Sequence, residues 1–176
     1  NKVWKSERLA PWLVMKELVI LRHAKSNSEY SVDDIDRPLS IAGIDRVVKI
    51  SKKRRTFFKN TDIVLSSPAN RALHTAQLMM RELDYDYNKL IVDRKLYTFF
   101  TDDLIDYVHG LNNTWNKVIL VGHNPAFTEL VNHFSQEKIM YLRTAGLAKI
   151  TFESDDWISL IQGEMVLGQK SMTNNH

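Results

Sequence analysis

Three short apolar runs, KELVIL at 16–21, DIVL at 62–65 and KVILV at 117–121, constrain the fold more than any other feature of this sequence. Each is apolar without alternation, the pattern of a strand buried on both faces, and such strands belong to parallel sheets covered by helices. The intervening segments supply those helices. Ser40 introduces Ile41, Ile44, Val47, Val48 and Ile50 at helical spacing, with Lys49, Lys52, Lys53, Arg54 and Arg55 on the other face. Ser67-Pro68 reads as a Ser N-cap with Pro at the first helical position, followed by Ala69, Ala72, Leu73, Ala76, Met80 and Leu83. Further helices are expected over 102–111 and 125–134, a weak strand at 91–92, and an edge hairpin from strands at 146–152 and 157–161 joined by a turn at 153–156. Strands alternating with helices predict an α/β fold: a three-layer α/β/α sandwich with a mostly parallel central sheet.

A length of 176 residues fits one domain, expected over 15–168. Residues 1–14 are read as an extension upstream of a natural start at Met15, and 169–176 as a frayed tail. No apolar run reaches about 18 residues, so no membrane partner is expected. With 24 Lys and Arg against 21 Asp and Glu, the net charge of +3 gives no reason to expect nucleic acid. The absence of cysteine excludes disulfides, thiolate metal sites and a cysteine nucleophile. That composition suits a reducing, cytoplasmic setting.

The three apolar runs lead into residues of one chemical kind. KELVIL is followed by Arg22-His23, DIVL by Ser66-Ser67-Pro68 with Arg71 beyond, and KVILV by Gly122-His123-Asn124-Pro125. Residues just past the carboxyl ends of neighbouring parallel strands converge on one crevice. Two His and two Arg would meet there, a poor environment for a metal cation and a good one for a phosphoryl group. Guanidinium forks match phosphate oxygens, and the helix after Ser67-Pro68 can offer free N–H groups to the same anion.

Arg22-His23-Ala24-Lys25-Ser26, residues 66–72 and Gly122-His123-Asn124-Pro125 resemble the signature segments of the histidine phosphatase, or phosphoglycerate mutase-like, superfamily. Asp36-Arg37-Pro38-Leu39-Ser40 with Gly43 resembles, more narrowly, its SixA-type phosphohistidine phosphatases. The resemblance implies a phosphoglycerate mutase-like fold and a metal-independent phosphatase that needs no cofactor. It further implies that His23 is the nucleophile and accepts the phosphoryl group. Arg22, Arg71 and Arg37 would bind its oxygens, and His123 would donate hydrogen bonds to them. Asn124 and Ser67 join the substrate-binding set, with helix capping as their alternative role. Cations near His23 are expected to lower its basicity and keep it neutral for attack.

The larger family places a carboxylic acid between the equivalents of Arg71 and His123 to protonate the leaving group. Here the corresponding stretch reads Arg94-Lys95-Leu96-Tyr97-Thr98-Phe99, and the nearest acids, Asp102 and Asp103, come a helical turn later. An alkoxide leaves badly without a proton, whereas imidazole, with a reference pKa of about 6.5, leaves readily. The expected partner is therefore a phosphorylated protein, in particular a phosphohistidine-bearing signalling protein. A small phosphorylated compound, or a phosphate-recognition module without turnover, is the alternative. The general acid stays open among Asp102, Asp103 and none.

Overall fold

The computed structural model describes residues 15–169, so the expectations for 1–14 and for 170–176 lie outside the described residues. Six strands form one sheet: β1 (Met15–Arg22), β2 (Ile63–Ser66), β3 (Leu90–Val92), β4 (Lys117–Gly122), β5 (Leu147–Glu153) and β6 (Glu164–Leu167). Their spatial order is β3-β2-β4-β1-β5-β6. The first four are mutually parallel, with Leu18 beside Val118 and Val64 beside Ile119, while β5 runs antiparallel to both β1 and β6. Five helices connect them: α1 (Ile41–Lys53), α2 (Arg55–Phe58), α3 (Asn70–Glu82), α4 (Thr101–His109) and α5 (Ala126–Phe134).

Strand periodicity divides the core in two. Leu18, Ile20, Val118 and Leu120 face Leu104, Val108, Phe127 and Leu130 of α4 and α5. Val19, Leu21, Ile119 and Val121 face Val47, Ile50, Ala72 and Met79 of α1 and α3. Burying each aliphatic side chain is worth roughly 1.5–3 kcal/mol, which is why all-apolar strands settle in the middle layer. The three-layer α/β/α architecture is thus the observed one.

Three local expectations need correction. The partner of β5 is 164–167, not 157–161: Trp157 is fully buried in a turn, with its N–H on Asn113 Oδ1 and its indole N–H on the Trp115 carbonyl. Tertiary anchoring there overrides local strand propensity. Helix α3 begins at Asn70 rather than at Pro68, because Ala69 is extended (ψ 135°). The helix that carries the basic run breaks at Arg54, so that Arg55 begins a separate α2, which turns Phe57 and Phe58 into the core.

Candidate active site

The carboxyl ends of β1, β2 and β4 lie side by side, and backbone hydrogen bonds to β4 continue β1 and β2 one residue past their ends. His23 N–H donates to Gly122 O at 3.0 Å and Ser67 N–H to Val121 O at 3.0 Å. A cavity of about 290 Å³ opens there, bordered by Arg22, His23, Arg37, Arg71, His123 and Asn124, and also by Lys25, Ser26, Asp34, Phe99 and Thr144. Six of the seven residues predicted from sequence therefore share one cavity. The seventh, Ser67, is buried behind His123.

The His23 imidazole is 7% exposed, and its Nδ1 lies 2.7 Å from the carbonyl oxygen of Ala24. A carbonyl only accepts, so Nδ1 carries the proton and Nε2 keeps its lone pair. Burial is the largest cause lowering the His23 pKa to about 4. Arg71, Arg22 and Arg37 lower it further, against the stabilising bond to Ala24. The cations thus act as expected, but desolvation exceeds them.

His123 is buried too, and its pKa is lowered to about 3 by burial first and Arg71 second. Its Nε2 lies 2.7 Å from Ser67 Oγ, which also accepts the Ala69 N–H at 3.2 Å. The Ser67 hydroxyl has no other acceptor among the described residues, so its proton goes to that ring nitrogen. His123 then bears its own proton on Nδ1, a buried atom with no partner among the described residues. The ring packs edge-on against Tyr97, with centroids 5.4 Å apart, and lies 5.2 Å from the His23 ring.

The arginines are held by acceptors of the protein itself. Arg71 donates to Asp34 O at 2.6 Å and to Asp34 Oδ2 at 3.0 Å, and Arg37 meets Asp34 Oδ1 at 3.2 Å. Arg22 donates to the Tyr141 hydroxyl at 2.7 Å and the Leu142 carbonyl at 3.0 Å, with its guanidinium over the Tyr141 ring. The Nε atoms of Arg22, Arg37 and Arg71 are buried without a partner among the described residues. Four donors on four side chains bordering one cavity, these three and His123 Nδ1, thus find no acceptor there. An oxyanion supplies acceptors of that number and charge.

Sequence reasoning missed Asp34, Tyr97 and Tyr141. Asp34 alone carried a signal, three residues before Arg37 in an acidic stretch, and it is the one carboxylate on the cavity wall. The Tyr97 hydroxyl bonds to it and, with Arg71, holds its carboxyl below the usual range. Asp102 and Asp103 do not border the cavity; Asp103 accepts from Thr98 Oγ1 at 3.3 Å beside a neighbouring groove. Asn124 has both predicted placements: it borders the cavity, and its Oδ1 caps α5 by accepting from Thr128 N–H at 3.0 Å.

No protein-family model matches the sequence, and no curated protein does. Solved structures do match. A SixA protein from Nakamurella multipartitia superposes with a TM-score of 0.73 at 19% identity, over 90% of this chain and 98% of that one. A protein histidine phosphatase SixA complexed with tungstate gives 0.71 at 21%, over 88% and 96%. A mycobacterial glucosyl-3-phosphoglycerate phosphatase gives 0.65 at 14%, over 86% and 97%. With nearly the whole of each relative superposed on strands that carry RH, SSPAN-R and GHNP at their ends, this chain has the histidine phosphatase, phosphoglycerate mutase-like fold.

Proposed function

We propose that the chain is a metal-independent phosphatase that works through a covalent phosphohistidine on His23, acting on protein phosphohistidine. The observation that carries this reading is a buried His23, its Nδ1 engaged by the Ala24 carbonyl, in a cavity bordered by four donors without a partner among the described residues. Nε2 of His23 attacks phosphorus, and the phosphoryl oxygens take the free N–H groups of Arg22, Arg37, Arg71 and His123 as the bond to the leaving group breaks. Three guanidiniums supply the positive charge that a metal supplies elsewhere. Water then attacks phospho-His23, the N–P bond breaks, inorganic phosphate departs and the imidazole is restored.

The choice of substrate rests on Asp34. Its carboxyl is engaged by Arg71, Arg37 and Tyr97 and held ionised, so it has no proton to give a leaving alkoxide. A phosphohistidine ring protonated on its other nitrogen departs as neutral imidazole and needs no acid from the enzyme. The cavity is open to solvent, with half-exposed Phe99 and Tyr141 beside it, so a phosphorylated side chain on a protein can enter. A small-molecule phosphomonoesterase is the second reading, favoured by the fold shared with the glucosyl-3-phosphoglycerate phosphatase.

Two measurements test the proposal. Quenching turnover under alkaline conditions, which preserve phosphohistidine, should place phosphate on His23. A substrate panel should rank phosphohistidine protein above aryl phosphate and aryl above alkyl phosphates, unchanged by chelator and inhibited competitively by vanadate. Rapid turnover with no trapped intermediate would leave direct attack by water. Activity abolished by chelator and restored by a divalent ion would overturn metal independence, and sugar phosphates as best substrates would favour the second reading.

A further inference from the structure

A second cavity, of about 300 Å³, adjoins the first, and Thr144 borders both. Its wall carries Arg46, Lys49, Lys53, Arg54 and Arg143 and no acidic side chain. None of these five cations forms an ion pair among the described residues. The simple account, a solvated basic helix face, covers only Arg46, Lys49 and Lys53, which repeat at helical spacing along α1. Arg54 lies beyond α1, with Nε on the Gly168 carbonyl at 3.1 Å and its guanidinium over the Phe57 ring. Arg143 comes from the loop before β5. Two separate segments, α1 with its C-cap Arg54 and the loop carrying Arg143, therefore bring five like charges to one concavity, a potential that favours an anion.

The floor of this cavity is continuous with the nucleophile. Ala145 and Gly146 border it, Ala145 N–H donates to the His23 carbonyl at 3.1 Å, and Arg22 N–H donates to the Gly146 carbonyl at 3.0 Å. Ala145 is buried with φ 54°, a left-handed conformation that turns the chain between the two cavities. From Arg46 to Lys53 the stripe on α1 runs about 10 Å along the helix, longer than one phosphate and suited to several spaced charges.

We propose that the second cavity is a docking subsite for an acidic segment of the phosphoprotein substrate, which crosses Thr144 and lays its carboxylates along Arg46, Lys49 and Lys53. This inference deepens the proposed function and rests on it for the identity of the phosphorylated partner. It makes the enzyme select among phosphohistidine proteins by the charge beside the modified residue, through electrostatics that salt screens.

The test uses two peptides, each with one phosphohistidine, flanked on both sides by three Glu or by three Gln, with aryl phosphate as a common denominator. In the full chain at low salt, kcat/KM should favour the Glu peptide by about tenfold, and by less than about twofold in ~0.5 M salt. The variant R46Q/K49Q/K53Q should hydrolyse both peptides with a ratio near one. A wild-type ratio near one, or a preference that survives in the variant, overturns the proposal. If a sugar bisphosphate outcompetes the monophosphate only in the wild type while the peptides do not differ, the subsite serves small molecules and the acidic-segment proposal falls. If no phosphorylated compound is hydrolysed, the phosphatase reading fails, and anisotropy of a fluorescent, unphosphorylated Glu peptide decides the subsite separately. Binding weakened at least fivefold in the variant upholds it, and equal binding overturns it.

Discussion

At His23 one hydrogen bond and one burial settle what the residue can do. The bond from Nδ1 to the Ala24 carbonyl leaves Nε2 as the ring atom with a free lone pair, the one the proposed attack uses, and desolvation keeps that atom unprotonated well below neutral pH. Following the ring by NMR should give a midpoint near 4, and a midpoint above 6 would contradict the geometry. His23→Ala removes the covalent route and should lose at least about three decades of turnover. The residue's place on the cavity wall was legible because Arg22-His23 follows an apolar run. The main cause of its weak basicity was not, since desolvation comes from β1, β4 and the loop before β5 closing around it. Asp34 was legible only as a carboxylate three residues before Arg37, and its grip on Arg71 was not, for a related reason. Nothing in DDID separates a surface carboxylate from one that grips Arg71 across the fold. Asp34→Ala should lower kcat about tenfold, because two guanidiniums lose the acceptor that orients them, whereas Asp102→Asn and Asp103→Asn should each stay within about twofold. Aryl phosphate kinetics on the three variants checks this, and a large loss confined to Asp103→Asn would reinstate it as the acid.

Among the elements, α1 has a task its amphipathic pattern does not disclose. Its N-terminus is docked on the loop that follows β1: Ser40 N–H and Ser40 Oγ both bond to the Lys25 carbonyl, at 2.9 and 3.0 Å, while Ser40 Oγ caps Gly43 N–H. Gly43 permits this approach, since a Cβ there would meet the Lys25 carbonyl oxygen at 2.3 Å, against backbone that has little freedom to move. Gly43→Ala should therefore push the 23–26 loop outward, destabilise the chain by about 1–3 kcal/mol, and lower aryl phosphate turnover by more than stability accounts for. Urea unfolding together with kinetics on the folded fraction separates the two effects, and unchanged kcat would show that the loop tolerates the shift. The buried parallel strands and their helices were readable because apolar runs and 3.6-residue spacing are local signals. The misplaced last strand was not, because Trp157 goes to the carbonyl of Trp115, a contact that no local window contains.

For the whole molecule, the two site histidines tie stability to pH. Both are neutral and buried in the folded chain, at about 4 for His23 and about 3 for His123, against 6.5 for an ordinary imidazole. Between those values the unfolded chain binds more protons than the folded one, so stability is complete above about pH 6.5 and falls as pH drops toward 4. Each histidine should cost about 2 kcal/mol of stability between pH 7 and pH 5. His74, lowered chiefly by burial, adds in the same direction. Asp34, held below the usual carboxylate range, contributes stability that is lost only as pH falls below about 4, so pH 5 reports the histidines without it. The expected result is a clear loss of unfolding free energy in urea from pH 7 to pH 5. In a His23→Gln/His123→Gln double variant most of that loss should vanish, since neither side chain can then charge on unfolding. Inorganic phosphate should raise stability at both pH values in the wild type, because it binds only the folded cavity. A double variant as pH-sensitive as the wild type would mean that the imidazoles are not buried as neutral groups, and the account of an attack-ready His23 would fall with it.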